Sequence, residues 1–413
     1  MTDDITRAAA ALLRQNRVTP TWNGQTYRYT RPAPSTYEQQ WLWDSGFHAI
    51  AQRWLDPAMA WDELHAVVAQ AFTDGPDAGM LPHMTYWGGG AEALWGNPSR
   101  SIITQPPLVA IAAMAIAERE ADTDAAPHLR ALYPAICAFH VWMDRQRDPD
   151  GDNLVVCIHP WEAGWDASAR FDPAMRSVVA DDDFSHDGLR AGRLKLAALC
   201  QTYASDPIAL RDAGYFHVEV CDFNAVRVAD LEDLARMAAA LGLPDDAARW
   251  NNRAKAVQQA VIGKLWRTDD DGRPEVVDLS GADETPLRDG GAQQYVALFG
   301  GCATPEQAGA MAGQIETALR RTPYVLSILP PEHPAFDPTR YWRSNVSVQV
   351  NWMVWMGLRR YGFSDLAAEL AARTIALVAE RGPHEYYDPL TGQGHGSHPH
   401  SWAALTVDMA QRG

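Results

Sequence analysis

Residues 345–381 read NVSVQVNWMVWMGLRRYGFSDLAAELAARTIALVAER. Apolar side chains recur at helical spacing over 345–361, Gly362 stops that run, and Ser364-Asp365 opens an Ala-rich helix over 365–381. Two helices with so short a joint must pack antiparallel. Working outward from this hairpin, the same periodicity predicts helices near 3–17, 44–54, 58–72, 105–120, 126–147, 186–204, 222–241, 245–266, 290–300, 305–319 and 400–411. Thr304-Pro305-Glu306 places a capping residue before a proline at the first helical position, and Gly242-Leu243-Pro244 closes another helix. Convincing strand alternation is scarce.

The connections alternate in length. Short ones fall near 55–57, 121–125, 242–244, 301–304 and 362–364; long ones fall at 18–43, 73–104, 148–185, 267–289, 320–344 and 382–399. Antiparallel helices joined in this way bring all the long loops to one end. Six such hairpins close into a double ring, so the expected fold is all-α, a single (α/α)6 barrel with the long loops forming an active-site face. Long loops without secondary structure are usually functional. No constant repeat supports a solenoid. No linker divides the chain, and residues 1–413 are expected to form one catalytic domain.

The chain of 413 residues is 47% hydrophobic and carries a net charge of −17. An acidic surface repels nucleic acid and anionic membranes, so neither is an expected partner. Five scattered cysteines, never in CxxC spacing, read as buried apolar residues of a reducing compartment. No signal peptide and no apolar run of membrane length is seen, which points to the cytoplasm. Surface Trp is compatible with a homo-oligomer. Sixteen Trp are the compositional outlier. A Trp face matches the C–H face of a pyranose, and Trp41, Trp43, Trp87, Trp95, Trp161, Trp165 and Trp342 lie in Gly- and Pro-rich segments rather than in helical periodicity.

Five segments carry chemistry, each in or beside a long loop. The first, Tyr37 to His48, joins Trp41, Trp43 and Asp44; Asp44 reads equally as a helix cap or as a bidentate acceptor of sugar hydroxyls. The second holds Tyr86 and Trp87, followed by Gln105 ahead of two prolines. The third, His159 to Asp172, offers Glu162, Asp166 and Asp172 as rival general acids; a carboxyl wedged against Trp is desolvated and its pKa rises. The fourth is Tyr341-Trp342-Arg343, where an arginine can brace a carboxylate or fork onto substrate oxygens. The fifth, His384 to Trp402, contains Glu385 as candidate base. Its histidines lack the spacing of a metal site, and neither metal nor cofactor is expected. Asp148-Pro149-Asp150-Gly151-Asp152-Asn153 resembles the start of a calcium loop, but its Gly and closing Glu are misplaced for an EF-hand, and a surface turn is the simpler reading.

Taken in order, Gln40-Trp41-Leu42-Trp43-Asp44-Ser45, Thr104-Gln105-Pro106-Pro107, Glu162-Ala163-Gly164-Trp165-Asp166-Ala167-Ser168, Tyr341-Trp342-Arg343 and Glu385-Tyr386-Tyr387-Asp388-Pro389-Leu390-Thr391-Gly392 resemble glycoside hydrolase family 63 and the related family 37 trehalases. The short enzymes acting on mannosylglycerate and glucosylglycerate are the nearest in look. The resemblance implies an (α/α)6 barrel and inverting hydrolysis of an α-glycosidic bond, with Asp166 as general acid and Glu385 as general base. It implies that Trp41, Trp43, Asp44, Gln105, Trp161, Gly164, Trp165 and Arg343 line the sugar pocket. Tyr37, Tyr86, Trp87, Arg170, Tyr341, Trp342 and Trp402 complete the expected substrate-binding set. Arg170, Arg190 and Arg343 are the candidate partners of a glycerate carboxylate. Two segments depart from the family: Ser344-Asn345-Val346-Ser347 lacks a usual Trp, and His400-Ser401-Trp402 replaces Phe-Ser-Trp. The rival readings are an α-glucosidase or trehalase for neutral disaccharides, a sugar epimerase or isomerase using His48, His83 or His384, and a non-catalytic sugar-binding protein.

Overall fold

Six inner elements form a closed ring: Leu42–Gln52, Val109–Ala117, Cys221–Ala240, the 3₁₀ segment Ala292–Leu298, Val348–Arg360 and the 3₁₀ segment Ser401–Leu405, each packed on the next and the last on the first. An outer helix covers each one. Pro57–Val68, Asp122–Gln146, Pro244–Ala260, Pro305–Arg321 and Ser364–Arg381 each pack on the inner element that precedes them, and Thr2–Gln15 packs on Ser401–Leu405. The fold is the expected (α/α)6 barrel. The computed structural model describes residues 2–413; Met1 lies outside the described residues.

Burial explains which helices line the interior. Every residue of Leu42–Gln52 is buried, whereas Pro244–Ala260 buries only Trp250, Ala254 and Val257. Two inner elements expected as ordinary helices, 290–300 and the start of 400–411, tighten to 3₁₀ geometry, which serves short segments. The sequence does not predict the small sheets. Their strands are two or three residues long, too short for alternation to register. The largest is antiparallel, with strands in the order Thr285–Leu287, Asp278–Ser280, Val218–Glu219, Val156–Cys157. Pro207–Asp212 is a further helix unseen in the sequence, capped by Asp206, whose carboxylate accepts from the amides of Ile208 and Ala209 at 2.8 and 3.1 Å. Among the described residues no helix is long and apolar enough to cross a membrane.

Two buried carboxylates gather partners from several elements, as low-dielectric burial favours. Asp408, with no exposed surface, takes an ion pair from the buried Arg53 and accepts from Trp54 Nε1 at 2.8 Å and Trp352 Nε1 at 2.9 Å. It joins the end of the chain to two other inner elements. Glu63 plays a similar part nearer the long loops, accepting from Ser45 Oγ and from the Thr30 amide at 2.7 Å each. Asp408→Ala leaves the buried Arg53 with only its longer pairing to Glu118 at 3.9 Å; it is expected to destabilise the barrel by about 3 kcal/mol, read as a lowered urea midpoint.

Candidate active site

The long connections and the adjoining ends of inner elements bring twelve residues around one cleft with about 330 Å³ of empty space: Pro32, Tyr37, Trp41, Trp43, Asp44, Gln105, Gly164, Asp166, Tyr341, Glu385, His400 and Trp402. Five of the six long connections contribute; the one between Ala260 and Ala292 does not.

Each carboxyl is placed by a local device. The two-residue strand Gln40–Trp41 pairs with Met84–Thr85 and stops where the inner helix begins. Asp44 falls in the first turn of that helix, but Trp41 occupies the cap position and no side chain caps. Asp44 therefore faces the cleft rather than its own helix end. Asp166 follows the single turn Pro160–Ala163. The His159 ring accepts from the Trp161 amide at 3.0 Å at the start of that turn, and Gly164 ends it in the left-handed region at φ +78°, as helix C-termini favour. Gly164 also has no room for a side chain, because a Cβ there would lie 2.6 Å from the Trp43 ring. Glu385 directly precedes the strand Tyr386–Tyr387, which pairs with Gly394–His395 and bridges to Val346.

The environments of these carboxyls differ. Glu385 accepts from Tyr37 Oη at 2.8 Å, from the Ser397 amide at 2.8 Å and from Ser397 Oγ at 3.0 Å, while its carbonyl accepts from Trp402 Nε1 at 2.8 Å. Burial raises its pKa, and these donors pull it back. The Asp166 carboxyl receives no side-chain hydrogen bond from the described residues. It sits deep in the protein with part of its surface open to the cleft. Burial pushes its pKa up to about 7; the Arg193 guanidinium opposes the rise, and Glu385 and Asp44 add to it. Burial likewise raises Asp44 to about 7, with His48 opposing. The cleft thus holds one donor-supported carboxyl, Glu385, and two, Asp44 and Asp166, that burial lifts to about 7. Environments that push like groups apart define acid and base.

Ten of the residues expected from sequence line the cleft: Tyr37, Trp41, Trp43, Asp44, Gln105, Gly164, Asp166, Tyr341, Glu385 and Trp402. Gln105 is held there by accepting from the Trp43 amide at 3.3 Å. The structure places seven others outside the lining. Trp165 and Trp342 are buried with ring centroids 5.0 Å apart, and Trp342 lies 6.4 Å from Trp43, so they buttress the wall from behind. Trp161 stacks on His83, centroids 5.9 Å apart. Trp87 donates to Gln40 Oε1 at 2.9 Å, and Tyr86 Oη accepts from Trp95 Nε1 at 3.3 Å. Arg170 is consumed by Asp222 and Asp278 at 2.6 and 3.2 Å. Arg343 clasps Asp172 with both terminal nitrogens at 2.7 and 2.6 Å, so Asp172 is braced rather than free. Glu162 is equally committed, to Arg147 at 2.9 Å and to the amides of Ile158 and Thr104 at 2.7 and 3.2 Å. His48 and His83 are buried off the cleft.

Sequence reasoning did not place Pro32, Ser397 or Arg193 at the site, whereas the departure at His400 falls on the cleft lining. A usable signal existed for Ser397. Gly396, in the left-handed region at φ +69°, brings the chain so close that a Cβ would lie 2.6 Å from Glu385 Oε2.

A helical barrel with two unlike carboxyls in an aromatic cleft defines a glycoside hydrolase. The sequence model of the family described as mannosylglycerate hydrolase MGH1-like glycoside hydrolase domain matches residues 37–403, and the chain belongs to that family. The mannosylglycerate hydrolase of Thermus thermophilus is 34% identical over 91% of this chain and 95% of its own length. The glucosylglycerate hydrolase of Mycolicibacterium hassiacum is 26% identical over 92% and 93%. The crystal structure of a family 63 mannosylglycerate hydrolase from Thermus thermophilus in complex with Tris and D-glycerate superposes with a TM-score of 0.85 at 32% identity, covering 99% of this chain and 100% of that one.

Gly164→Ala forces the added methyl against Trp43 and strains a left-handed residue by about 1–2 kcal/mol. Displacing the wall by about an ångström is expected to lower kcat/KM roughly 10²-fold, measured by sugar release, with the fold retained by circular dichroism.

Proposed function

We propose that this enzyme hydrolyses the α-glycosidic bond of a hexosylglycerate, α-mannosylglycerate or α-glucosylglycerate, with inversion. Asp166, protonated, donates to the leaving oxygen. Glu385, ionised, takes a proton from the attacking water on the opposite face of the sugar. Asp44 and Gln105 bind hydroxyls, and Trp41, Trp43 and Trp402 pack against the ring. The observation that carries the reading is the contrast between donor-rich Glu385 and donor-poor Asp166 within one cleft. Five unpaired cysteines, four of them buried, accord with a reducing, cytoplasmic setting.

The names of the relatives supply the glycerate. Of the arginines considered for its carboxylate, Arg170 and Arg343 are already paired and Arg190 is exposed. Arg193 is buried, makes no ion pair among the described residues, and donates to the Asp166 carbonyl oxygen at 3.2 Å. It is the cation placed to meet a carboxylate beside the leaving oxygen. Arg193→Met is expected to raise KM for a hexosylglycerate about tenfold, with little change for a neutral α-glycoside.

Proton NMR of the anomeric signals during hydrolysis of α-mannosylglycerate, α-glucosylglycerate and trehalose tests the reaction. A β-sugar appearing first from a glycerate substrate is the expected result. An α-sugar appearing first would falsify inversion, and cleavage of trehalose alone would remove the glycerate. Asp166→Asn and Glu385→Gln should each lower kcat about 10²–10⁴-fold. On an α-glycosyl fluoride, whose leaving group needs no proton, only Asp166→Asn should recover.

The pH profile follows in sign. Activity needs Asp166 protonated, and its pKa is raised to about 7, so kcat/KM falls as pH rises through about 7. Activity needs Glu385 ionised, so it also falls at acid pH, with a midpoint above the ordinary glutamate value because burial raises that group. A profile with no alkaline limb would remove Asp166 as the acid.

A further inference from the structure

Four carboxylates from three connections meet beside the four-stranded sheet, away from the cleft. Asp150 and Asp152 lie in the Asp-rich turn that precedes strand Val156–Cys157. Glu219 ends strand Val218–Glu219, and Glu284 lies in the turn between strands Asp278–Ser280 and Thr285–Leu287. One oxygen from each lies within 4.8 Å of all the others. Oxygens bound to a single calcium ion at roughly 2.3–2.6 Å are at most about 4.6–5.2 Å apart, so the four atoms already occupy the volume of one coordination sphere.

Charge and burial make this more than a solvated acidic turn. Among the described residues Lys264 is the one cation paired with the group, to Asp152 and, at 2.6 Å, to Glu284. Asp150 and Glu219 make no ion pair among those residues, so one ammonium serves four carboxyl groups. Glu219 is only 4% exposed, and its Oε2, enclosed by protein, has no hydrogen-bond partner. A buried carboxyl with an orphaned oxygen, packed among three other carboxyls, is costly unless something binds the group. The other acidic cluster, Cys221, Asp222 and Asp278, differs on this point, because the Arg170 guanidinium already fills it.

We propose that Asp150, Asp152, Glu219 and Glu284 form a calcium site. Hard carboxylate oxygens with no nitrogen or sulfur ligand select calcium or magnesium over transition metals. An irregular set drawn from loops and a strand, open to water at Asp150, suits the larger and more flexible sphere of calcium. The Lys264 ammonium yields part of its pairing when the ion enters. The ion ties residues 150–152 to strand Val218–Glu219 and to the turn at Glu284. Strand Val156–Cys157, paired to Val218–Glu219, runs directly into His159, where the Asp166 loop begins. The site therefore anchors the base of that loop without touching substrate.

The test is isothermal titration of the full-length, EDTA-treated protein with calcium chloride, with a thermal melt alongside. One saturable site and a raised Tm are expected. Glu219→Gln should weaken binding at least tenfold. Lys264→Met, which removes the competing cation, should tighten binding. If Glu219→Gln does not fold, Asp150→Asn, on an exposed residue, should still weaken binding several-fold. No saturable binding at millimolar calcium, or unchanged binding in the folded carboxylate variants, overturns the proposal. Magnesium binding as tightly as calcium would overturn the choice of ion.

Discussion

Burial of three carboxyls, Asp44, Asp166 and Glu385, in one cleft is the constraint around which this end of the barrel is built. Desolvation raises the pKa of each, and the charge of Glu385 adds to the rise at Asp44 and Asp166. Nearly all the hydrogen-bond donors go to one of them. Tyr37 and Ser397 hold Glu385, and the remaining two are lifted by burial to about 7. The loops that supply the donors come from opposite ends of the chain. The contrast between the groups therefore exists only in the folded barrel.

The barrel provides that rigidity by separating tasks. Its inner elements are buried on all sides and joined by enclosed polar hubs such as Asp408 and Glu63. The short connections cross one end, and the long ones carry the chemistry at the other. Behind the cleft, Trp43, Trp342 and Trp165 form a continuous aromatic wall, and large rigid rings of this kind hold neighbouring loops in register by packing alone.

The helices and the length pattern of the connections were legible because each is a local property: periodicity, a cap, a glycine stop. The candidate acid and base stood out because aromatic neighbours in sequence mark desolvation. Partnership was not legible. Arg170 and Arg343 looked like free forks among aromatic rings, yet their carboxylates lie 52 and 171 positions away. The donor to Glu385 from Tyr37 spans 348 positions. Trp161, Trp165 and Trp342 were recognisable as unusual, but which face of a loop meets the cleft depends on packing that no spacing rule encodes. Asp44 was balanced between cap and cleft until the helix proved to start two residues earlier.

Asp166 keeps part of its surface open to the cleft while Glu385 is almost fully enclosed. In the inverting cycle proposed above, with Asp166 as acid and Glu385 as base, each turnover would leave the acid stripped of its proton and the base carrying one, so the catalyst would need recharging before it could act again. The open side of Asp166 gives it direct proton exchange with cleft water once product has left. Glu385 must shed its proton through Tyr37 and Ser397 or through the same water. The cleft that excludes solvent during bond cleavage is therefore also the conduit for resetting the enzyme, and emptying it of product is the event that rearms both carboxyls.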